Sequence, residues 1–338
     1  AIYWSLGDLI AVCQGALVVI FGAWLAVHGH MTSGALVTFI MYNGQLAWPT
    51  RRLGRIIGEM SKAGVSIGRL REILLARPEE DSPDDQIFPI QGAIAFSHVN
   101  FSYGSHPVLT DVSFSVAPGE TLAILGATGS GKSTLVNLLP RFYDVTGGEI
   151  LIDGIDIRKI KAASLRRHFG QMLQDVFLFS GTIRSNILLR EEGISDEEVM
   201  EACRYVNADH FINKLERGLD EPVRERGNNF SAGQRQLLSF ARTIIHKPAV
   251  MILDEATANI DTETEQLIQN SLEKMMNIGT MLIVAHRLST IQHADNIIVL
   301  SNGKIVEQGN HHELLQKHGR YYQLYTLQYH RQIGRAHV

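Results

Sequence analysis

Acidic side chains are nearly absent from the first 75 residues, where Asp8, Glu59 and Glu72 are the only carboxylates among the 35 of the 338-residue chain. Cysteine is scarce too, and Cys13 and Cys203 lie far apart in unrelated surroundings, which argues against a disulfide framework or a zinc site. A basic surplus is also missing, because the net charge is −4, and this argues against nucleic acid as a partner. The composition therefore predicts an apolar segment followed by a charged domain suited to a reducing cytosol.

The ends of the sequence lack familiar signals. No initiator Met precedes Ala1, and an apolar run begins almost at once, so we expect a fragment that lacks N-terminal sequence. Residues 329–338 are interpreted as a tail. Its last part, residues 333–338, matches one reading frame of a common sequencing-library adapter, and our hypothesis is that it is a sequencing artefact.

The apolar segment predicts two transmembrane α-helices. Residues 9–27 contain Gln14 as the only strongly polar side chain and would reach about 28 Å as a helix, near the thickness of a bilayer core. A buried helix of a soluble protein is the alternative, and a signal peptide is disfavoured because no basic region precedes the run. Residues 33–55 form a weaker second span, softened by Asn43 and Gln45.

A cluster of basic residues follows the second span and predicts its orientation. Pro49 is expected to kink the helix, which then continues beyond the membrane to about residue 76. The positive-inside rule places this end in the cytoplasm. The basic residues concerned are Arg51, Arg52, Arg55, Lys62, Arg69 and Arg71.

Residues 77–89 are rich in proline and acid and predict a linker, after which a domain covers residues 90–328. Apolar residues alternate around Phe101 and Phe114, as expected for antiparallel strands. A hairpin is predicted at Asp153-Gly154, which follow Ile150 and Ile152. By contrast, residues 122–125, 250–253 and 281–285 are unbroken apolar runs, typical of central parallel strands covered on both faces. Residues 195–245 have helical signals instead. Ser195 and Glu198 have the spacing of a capping box, and a helix is predicted over residues 235–245. The sequence predicts a mixed α/β domain with an antiparallel β subdomain and an inserted helical subdomain.

A glycine-rich stretch follows the first of these runs and precedes a predicted helix over residues 134–142. Glycines let consecutive backbone amides turn toward a phosphate, a lysine adds a point charge, and a hydroxyl can ligate Mg²⁺. A plain glycine-rich turn is the alternative. The stretch matches a P-loop, with its binding residues predicted to be Gly126, Ala127, Thr128, Gly129, Ser130, Gly131, Lys132, Ser133 and Thr134.

Polar residues follow all three apolar runs: the P-loop, then Asp254 and Glu255, then His286. In open α/β sheets, ligands bind at the carboxyl ends of the strands. Three strands are therefore predicted to bring phosphate-binding chemistry to one edge of a sheet.

The order of these motifs resembles that of the ABC transporter family. Residues 92–325 resemble its nucleotide-binding domain, an α/β P-loop NTPase, and the first 75 residues resemble the last two membrane helices of an exporter-type half-transporter. The resemblance implies ATP and Mg²⁺ as cofactors. It also implies an ATPase in the cytoplasmic membrane, with its nucleotide-binding domain in the cytoplasm, that exports a drug, lipid or peptide.

Single residues take roles by the same resemblance. Tyr103 matches the aromatic residue that stacks on adenine, although an ordinary strand aromatic is the alternative. Gln174 matches the glutamine that touches Mg²⁺ or the attacking water, and Asp254 matches the carboxylate that holds Mg²⁺. Glu255 matches the residue that polarises the water, and His286 matches the histidine that contacts the γ-phosphate. The predicted catalytic set consists of Lys132, Gln174, Glu255 and His286, whereas Ser133, Gln174 and Asp254 are the predicted metal ligands.

The signature sequence of the family corresponds to residues 230–234, where Ser231, Gly233 and Gln234 would bind ATP held by a partner chain, and Asp261 matches the D-loop aspartate. Ala232 stands where the family usually has Gly. Altered signatures are common in heterodimeric exporters of the family, so we expect a second half-transporter as partner, with a homodimer as the alternative.

Two other functions remain open on the sequence. One is a regulatory subunit that binds nucleotide with little turnover, against which Glu255 and His286 argue. The other is a soluble ATPase of translation or repair, which the apolar segments oppose.

Overall fold

The structure is a computed structural model, and it describes residues 2–76, 79, 87–173, 175–189, 191, 193–254, 262–284 and 291–327. The chain divides into two compact units, Ala1–Glu80 and Asp81–Val338. The predicted linker at residues 77–89 lies largely outside the described residues, and so does the predicted tail from residue 329 onward.

The first unit is a pair of helices, α1 (Ile2–Val27) and α2 (Ser33–Leu74). The Thr32 hydroxyl begins α2 by accepting a hydrogen bond from the Ala35 amide at 3.2 Å. Gln14 Nε2 donates to Asn43 Oδ1 at 2.9 Å, so these two polar side chains satisfy each other across the pair of helices.

Among the described residues, one helical stretch, Leu9–Val27, is long and apolar enough to cross a membrane. The second span, residues 33–55, stays a prediction. At Pro49, where we expected a kink, α2 continues as one helix to Leu74.

The second unit contains a six-stranded mixed sheet in the order β12-β11-β3-β10-β9-β6. Its centre is parallel, and only β12 runs antiparallel to its neighbour. The three predicted buried strands are confirmed as β3, β10 and β9, which lie side by side. The strands are β3 (Thr121–Gly126), β6 (Phe169–Met172), β9 (Val250–Asp254), β10 (Thr280–Val284), β11 (Asn296–Ser301) and β12 (Lys304–Gly309).

A four-stranded antiparallel sheet, in the order β2-β1-β4-β5, forms the predicted β subdomain. Its last hairpin turns at Asp153-Gly154, as predicted, with φ of 49° and 83°. The Asp153 carboxylate accepts hydrogen bonds from the backbone amides of Gln91 and Ala93. These bonds hold the segment that leads into β1. The strands are β1 (Ile94–Tyr103), β2 (His106–Val116), β4 (Gly147–Ile152) and β5 (Ile155–Asp156).

Helices dominate the described part of residues 195–245, as predicted. A two-stranded ribbon joins β7 (Gly181–Thr182) and β8 (Pro222–Val223). The predicted capping box at Ser195 and Glu198 is present. The helices of the second unit are α3 (Lys132–Leu138), α4 (Ala162–Arg167), α5 (Ile183–Leu188), α6 (Asp196–Tyr205), α7 (Asp209–Ile212), α8 (Ala232–Ile245), α9 (Thr262–Met275) and α10 (His311–Gln316). Short 3-10 turns cover Ile157–Lys159, Gly218–Asp220 and Glu225–Gly227.

The central strands of the six-stranded sheet, β3, β9, β10 and β11, are buried on both faces. Ala123 and Leu125 of β3 belong to a core shared with the helical region, whereas Leu122 and Ile124 belong to a core shared with the antiparallel sheet. Because successive strand residues point to opposite faces, one apolar run serves both cores. The loop after β3 is therefore anchored in the centre of the unit.

Candidate nucleotide site

The P-loop connects β3 to α3 and depends on glycine backbone conformations. Gly129 and Gly131 have φ of 80° and 103°, in the left-handed region that favours glycine. A Cβ on Gly131 would lie 2.8 Å from Leu109 Cδ2, so side-chain packing also excludes a larger residue there. Ala127, Thr128 and Gly129 are exposed at the tip of the loop. The loop is an open cradle of backbone that a ligand can approach.

Lys132 is 7% exposed, and its ammonium group lies over this loop. Its Nζ donates to the carbonyl oxygens of Gly126 at 2.8 Å and Ala127 at 3.0 Å. Burial lowers the pKa of Lys132, and the Asp254 carboxylate acts in the opposite direction. A desolvated ammonium is thus held where an anion in the loop would meet it.

Three hydroxyl residues surround the lysine. Ser133 is exposed and Thr134 is half-buried in the first turn of α3. Ser130 is 5% exposed, and its Oγ has no hydrogen-bond partner within the described part of the chain. A buried hydroxyl without a partner is unfavourable, so this atom is suited to bind a ligand in the loop.

Three strand ends meet beside the P-loop, as the sequence predicts. Val284 of β10 pairs in parallel register with Asp254 of β9 on one side and with Ile124 of β3 on the other. Asp254 is half-buried at this edge. Four predicted site residues lie outside the described residues, and their roles stay predictions: Gln174, Glu255, Asp261 and His286.

The residues present fit a magnesium nucleotide. Glycine amides and the Lys132 ammonium suit phosphate, while the Ser133 hydroxyl and the Asp254 carboxylate offer the oxygen ligands that Mg²⁺ prefers. No group of three or more His, Cys, Asp or Glu side chains able to hold a metal occurs among the described residues.

The signature residues begin helix α8. The Ser231 Oγ accepts the Gln234 amide at 3.1 Å, and Gln234 Oε1 accepts the Ser231 amide at 2.9 Å, which is a reciprocal capping box. Ala232 is the first residue of the helix and is not among the residues with positive φ, so its Cβ causes no backbone strain. Gly233 is buried, and Phe230 packs in the core against Phe211.

Tyr103 lies at the end of β1, 42% exposed. Its ring meets Phe101 edge to face at 4.8 Å and Tyr143 at 5.2 Å. Exposure of part of the ring is consistent with a ligand-stacking role.

Sequence reasoning missed a buried polar network next to Gln174. Arg242 of α8 donates to the carbonyl oxygens of Asn186 at 2.7 Å and Phe177 at 3.1 Å. Asn186, 1% exposed, exchanges two hydrogen bonds with the Phe179 backbone. Burial lowers the pKa of the Arg242 guanidinium. These contacts tie the signature helix to the segment that follows Gln174. In the sequence, the signal for this network was Arg242 itself, an arginine on the apolar side of α8.

A family model described as ABC transporter matches residues 109–258, a stretch that contains the P-loop, the signature sequence and β9. Curated proteins and a solved structure agree with that match over most of the chain. This chain belongs to the ABC transporter family. The ABC domain, with its P-loop fold and mixed sheet, is an ATP-binding domain.

Similarity to ABC proteins extends beyond the ATP-binding domain. A fatty acid ABC transporter ATP-binding/permease protein of Mycobacterium tuberculosis is 41% identical over 308 residues, covering 91% of this chain and 49% of the relative. An ATP-dependent lipid A-core flippase of Syntrophus aciditrophicus is 40% identical over 316 residues, covering 93% and 53%. The structure of a bacterial Atm1-family ABC exporter with ATP bound aligns with a TM-score of 0.72 at 35% identity, covering 95% of this chain and 58% of that one.

This ABC chain spans about half the length of the curated relatives it matches, for example 51% and 46% of two of them. Homologous ABC exporters are membrane proteins. What the whole protein transports, and with which partner it assembles, is therefore a matter for proposal.

Proposed function

We propose that this chain is the ATP-binding and ATP-hydrolysing part of an ABC exporter subunit that moves a substrate out across the cytoplasmic membrane. The observation that carries the proposal is the Lys132 ammonium held over the P-loop carbonyls of Gly126 and Ala127, at the sheet edge where Asp254 ends β9. The names of the relatives, a fatty acid transporter and a lipid flippase, support export of an apolar or amphipathic substrate.

The chain would hold the nucleotide in three ways. Amides of the P-loop, from Gly126 to Ser133 and Thr134, and the Lys132 ammonium bind the phosphates. Ser133, Gln174 and Asp254 would hold Mg²⁺, which would supply positive charge to neutralise the phosphates. Tyr103 stacks on the base. The buried position of Lys132 supports this division, because a desolvated cation interacts strongly with an entering anion.

Hydrolysis follows from the residues at the strand ends. Glu255 orients and polarises a water molecule, whose oxygen attacks the γ-phosphorus while the bond to the bridging oxygen breaks, giving ADP and phosphate. His286 and Gln174 contact the γ-phosphate and the water. Lys132 stabilises the negative charge that develops on the bridging oxygen as ADP leaves.

The assembly we propose is a dimer of half-transporters, with a heterodimer favoured. Ser231, Gly233, Gln234 and Asp261 of one chain bind the ATP held on the P-loop of its partner. Ala232 begins α8 without strain and adds one methyl group near phosphate, and Phe230 stands where the family usually has Leu. Robust ATPase activity of the purified chain without a second subunit would argue for a homodimer.

The location we propose is the cytoplasmic membrane, crossed by residues 9–27 and 33–55, with the ATP-binding domain in the cytoplasm. Support comes from the apolar stretch Leu9–Val27 and from the arginines and lysine that follow Pro49. No nucleic acid is expected as a partner.

Phosphate release by the intact protein in liposomes tests the function. Glu255→Gln is expected to retain ATP binding but to lower release by roughly 10²-fold or more, whereas Glu273→Gln, an exposed carboxylate on α9, should leave it unchanged. Equal and very low release by wild type and Glu255→Gln would favour the regulatory alternative. Absence of ATP binding by the wild-type protein would refute both.

A further inference from the structure

Two tyrosines from distant parts of the second unit form one aromatic cluster. Tyr103 ends β1 of the antiparallel sheet, and Tyr143 lies in the loop after α3, the helix that begins at the P-loop. Their ring centroids lie 5.2 Å apart with the planes at 89°. Both rings also contact Phe101, which is buried. The cluster therefore joins the sheet that carries Tyr103 to the element that carries the phosphate-binding lysine.

The ring plane of Tyr103 is fixed from two sides. Phe101 meets it at 88° and Tyr143 at 89°, and edge-to-face contacts of this kind are favourable because the positive ring edge faces the negative ring face. Phe101 is part of the core and cannot move away. Tyr143, 47% exposed, is the only one of the two neighbours whose removal would leave the core intact.

The loop that carries Tyr143 is itself held firmly. Arg166 of α4 donates to the carbonyl oxygens of Pro140 at 2.9 Å and Arg141 at 2.8 Å. Its guanidinium lies 5.2 Å from the centroid of the Phe142 ring. Arg141 Nε in turn donates to Asp144 Oδ1 at 2.9 Å. A half-exposed aromatic ring on a clamped loop is prearranged to make a contact without losing conformational freedom.

We propose that Tyr143 is a positioning residue for nucleotide binding, which sets the ring plane of Tyr103 so that Tyr103 can stack on the base of ATP. The inference rests on the proposed function. Because α3 connects the Lys132 end of the P-loop to the Tyr143 loop, the distance between the phosphate cradle and the aromatic platform is fixed by one short helix. Tyr143 thereby affects affinity for the base and leaves affinity for the phosphates unchanged.

Binding of two probes to the intact protein separates these contributions: MgATP, which carries a base, and magnesium tripolyphosphate, which does not. Tyr143→Leu is expected to raise the Kd for ATP about two- to twelvefold, the range for losing one aromatic pair, with the Kd for tripolyphosphate unchanged. Tyr143→Phe keeps the ring and should bind ATP as wild type does. Tyr322→Leu, at a partly exposed tyrosine elsewhere, is the matched control.

A double-variant cycle completes the test. After Tyr103→Leu, the further change Tyr143→Leu should cause no additional loss of ATP affinity, because the two rings act as one unit. Additive losses, an unchanged Kd for ATP in Tyr143→Leu, or an equal rise in the Kd for tripolyphosphate would each overturn the inference. If wild type binds neither probe, the proposed function itself fails.

Discussion

The backbone amide of Gly303 donates a hydrogen bond to the carbonyl oxygen of Ser130, at 3.2 Å. The Gly303 carbonyl in turn accepts the Thr110 amide at 2.9 Å. Gly303 lies in the turn between β11 and β12, with φ of 74°, and a Cβ there would overlap the Val108 carbonyl. A hairpin turn remote in sequence thus supports the P-loop through main-chain contacts alone.

Gly303→Ala is expected to destabilise the protein and weaken ATP binding together. Left-handed backbone costs about 1–2 kcal/mol for alanine, and the overlap with Val108 adds about 1–3 kcal/mol. Gly154→Ala is the control, since Gly154 also has positive φ in a hairpin turn but has open space around it. Denaturant unfolding and ATP titration measure both effects. Equal losses of stability in the two variants would contradict the supporting contact.

Lys132→Met is expected to abolish ATP binding without destabilising the nucleotide-free protein. Burial lowers the pKa of Lys132, so the folded chain binds this proton less tightly than the unfolded chain does. Between the lowered pKa and 10.5, the unfolded state therefore binds more protons, and wild-type stability should rise with pH.

The rise of stability with pH should disappear in Lys132→Met. It should remain in Lys159→Met, where the replaced lysine is exposed. Thermal unfolding with ATP at about 100 times its Kd should show roughly 2.7 kcal/mol of stabilisation for wild type and Lys159→Met, and none for Lys132→Met. The interpretation fails if nucleotide-free Lys132→Met is clearly less stable than Lys159→Met.

Arg242→Gln is expected to lower stability by about 2–4 kcal/mol, because hydrogen bonds from a charged group to the Asn186 and Phe177 carbonyls are lost in a buried setting. Arg204→Gln, at an exposed arginine on α6, should change it by less than about 0.5 kcal/mol. Limited proteolysis within residues 175–182 should accelerate only in the Arg242 variant. Unchanged cleavage would show that Arg242 does not hold this segment.

Cys203 is expected to be unreactive toward thiol reagents in the folded protein. Burial raises its pKa to about 12, so almost no thiolate is present at neutral pH. Iodoacetamide labelling in a Cys13→Ser background, which leaves Cys203 as the one cysteine, should proceed only in denaturant. Rapid labelling under native conditions would mean that the core around α6 opens.

Much of the sheet could be predicted because its signals are local. The runs that became β3, β9 and β10 are apolar without alternation, and burial on both faces requires that pattern. The Asp153-Gly154 turn was readable because both positions tolerate positive φ. Helix limits were less exact. α3 extends over Lys132–Leu138 instead of residues 134–142, because Pro140 and the positive φ of Arg141 end it early.

The start of α8 was predicted at Arg235 but lies at Ala232, although Ser231 and Gln234 have capping-box spacing that would have placed it. Contacts between distant segments left no such local signal. The meeting of Tyr103 with Tyr143, and of Gly303 with Ser130, depends on how the two sheets pack. Roles at Glu255 and His286 stay predictions.

The capping box at Ser231 has a consequence for assembly. The Ser231 Oγ accepts a hydrogen bond from the Gln234 amide. This hydrogen bond orients the Ser231 side chain and leaves its hydroxyl hydrogen available to donate. The serine therefore already has its rotamer before any second subunit arrives. Docking of a partner subunit would therefore cost little side-chain entropy at Ser231. The association rate should depend more on the relative orientation of the two subunits at encounter than on local folding.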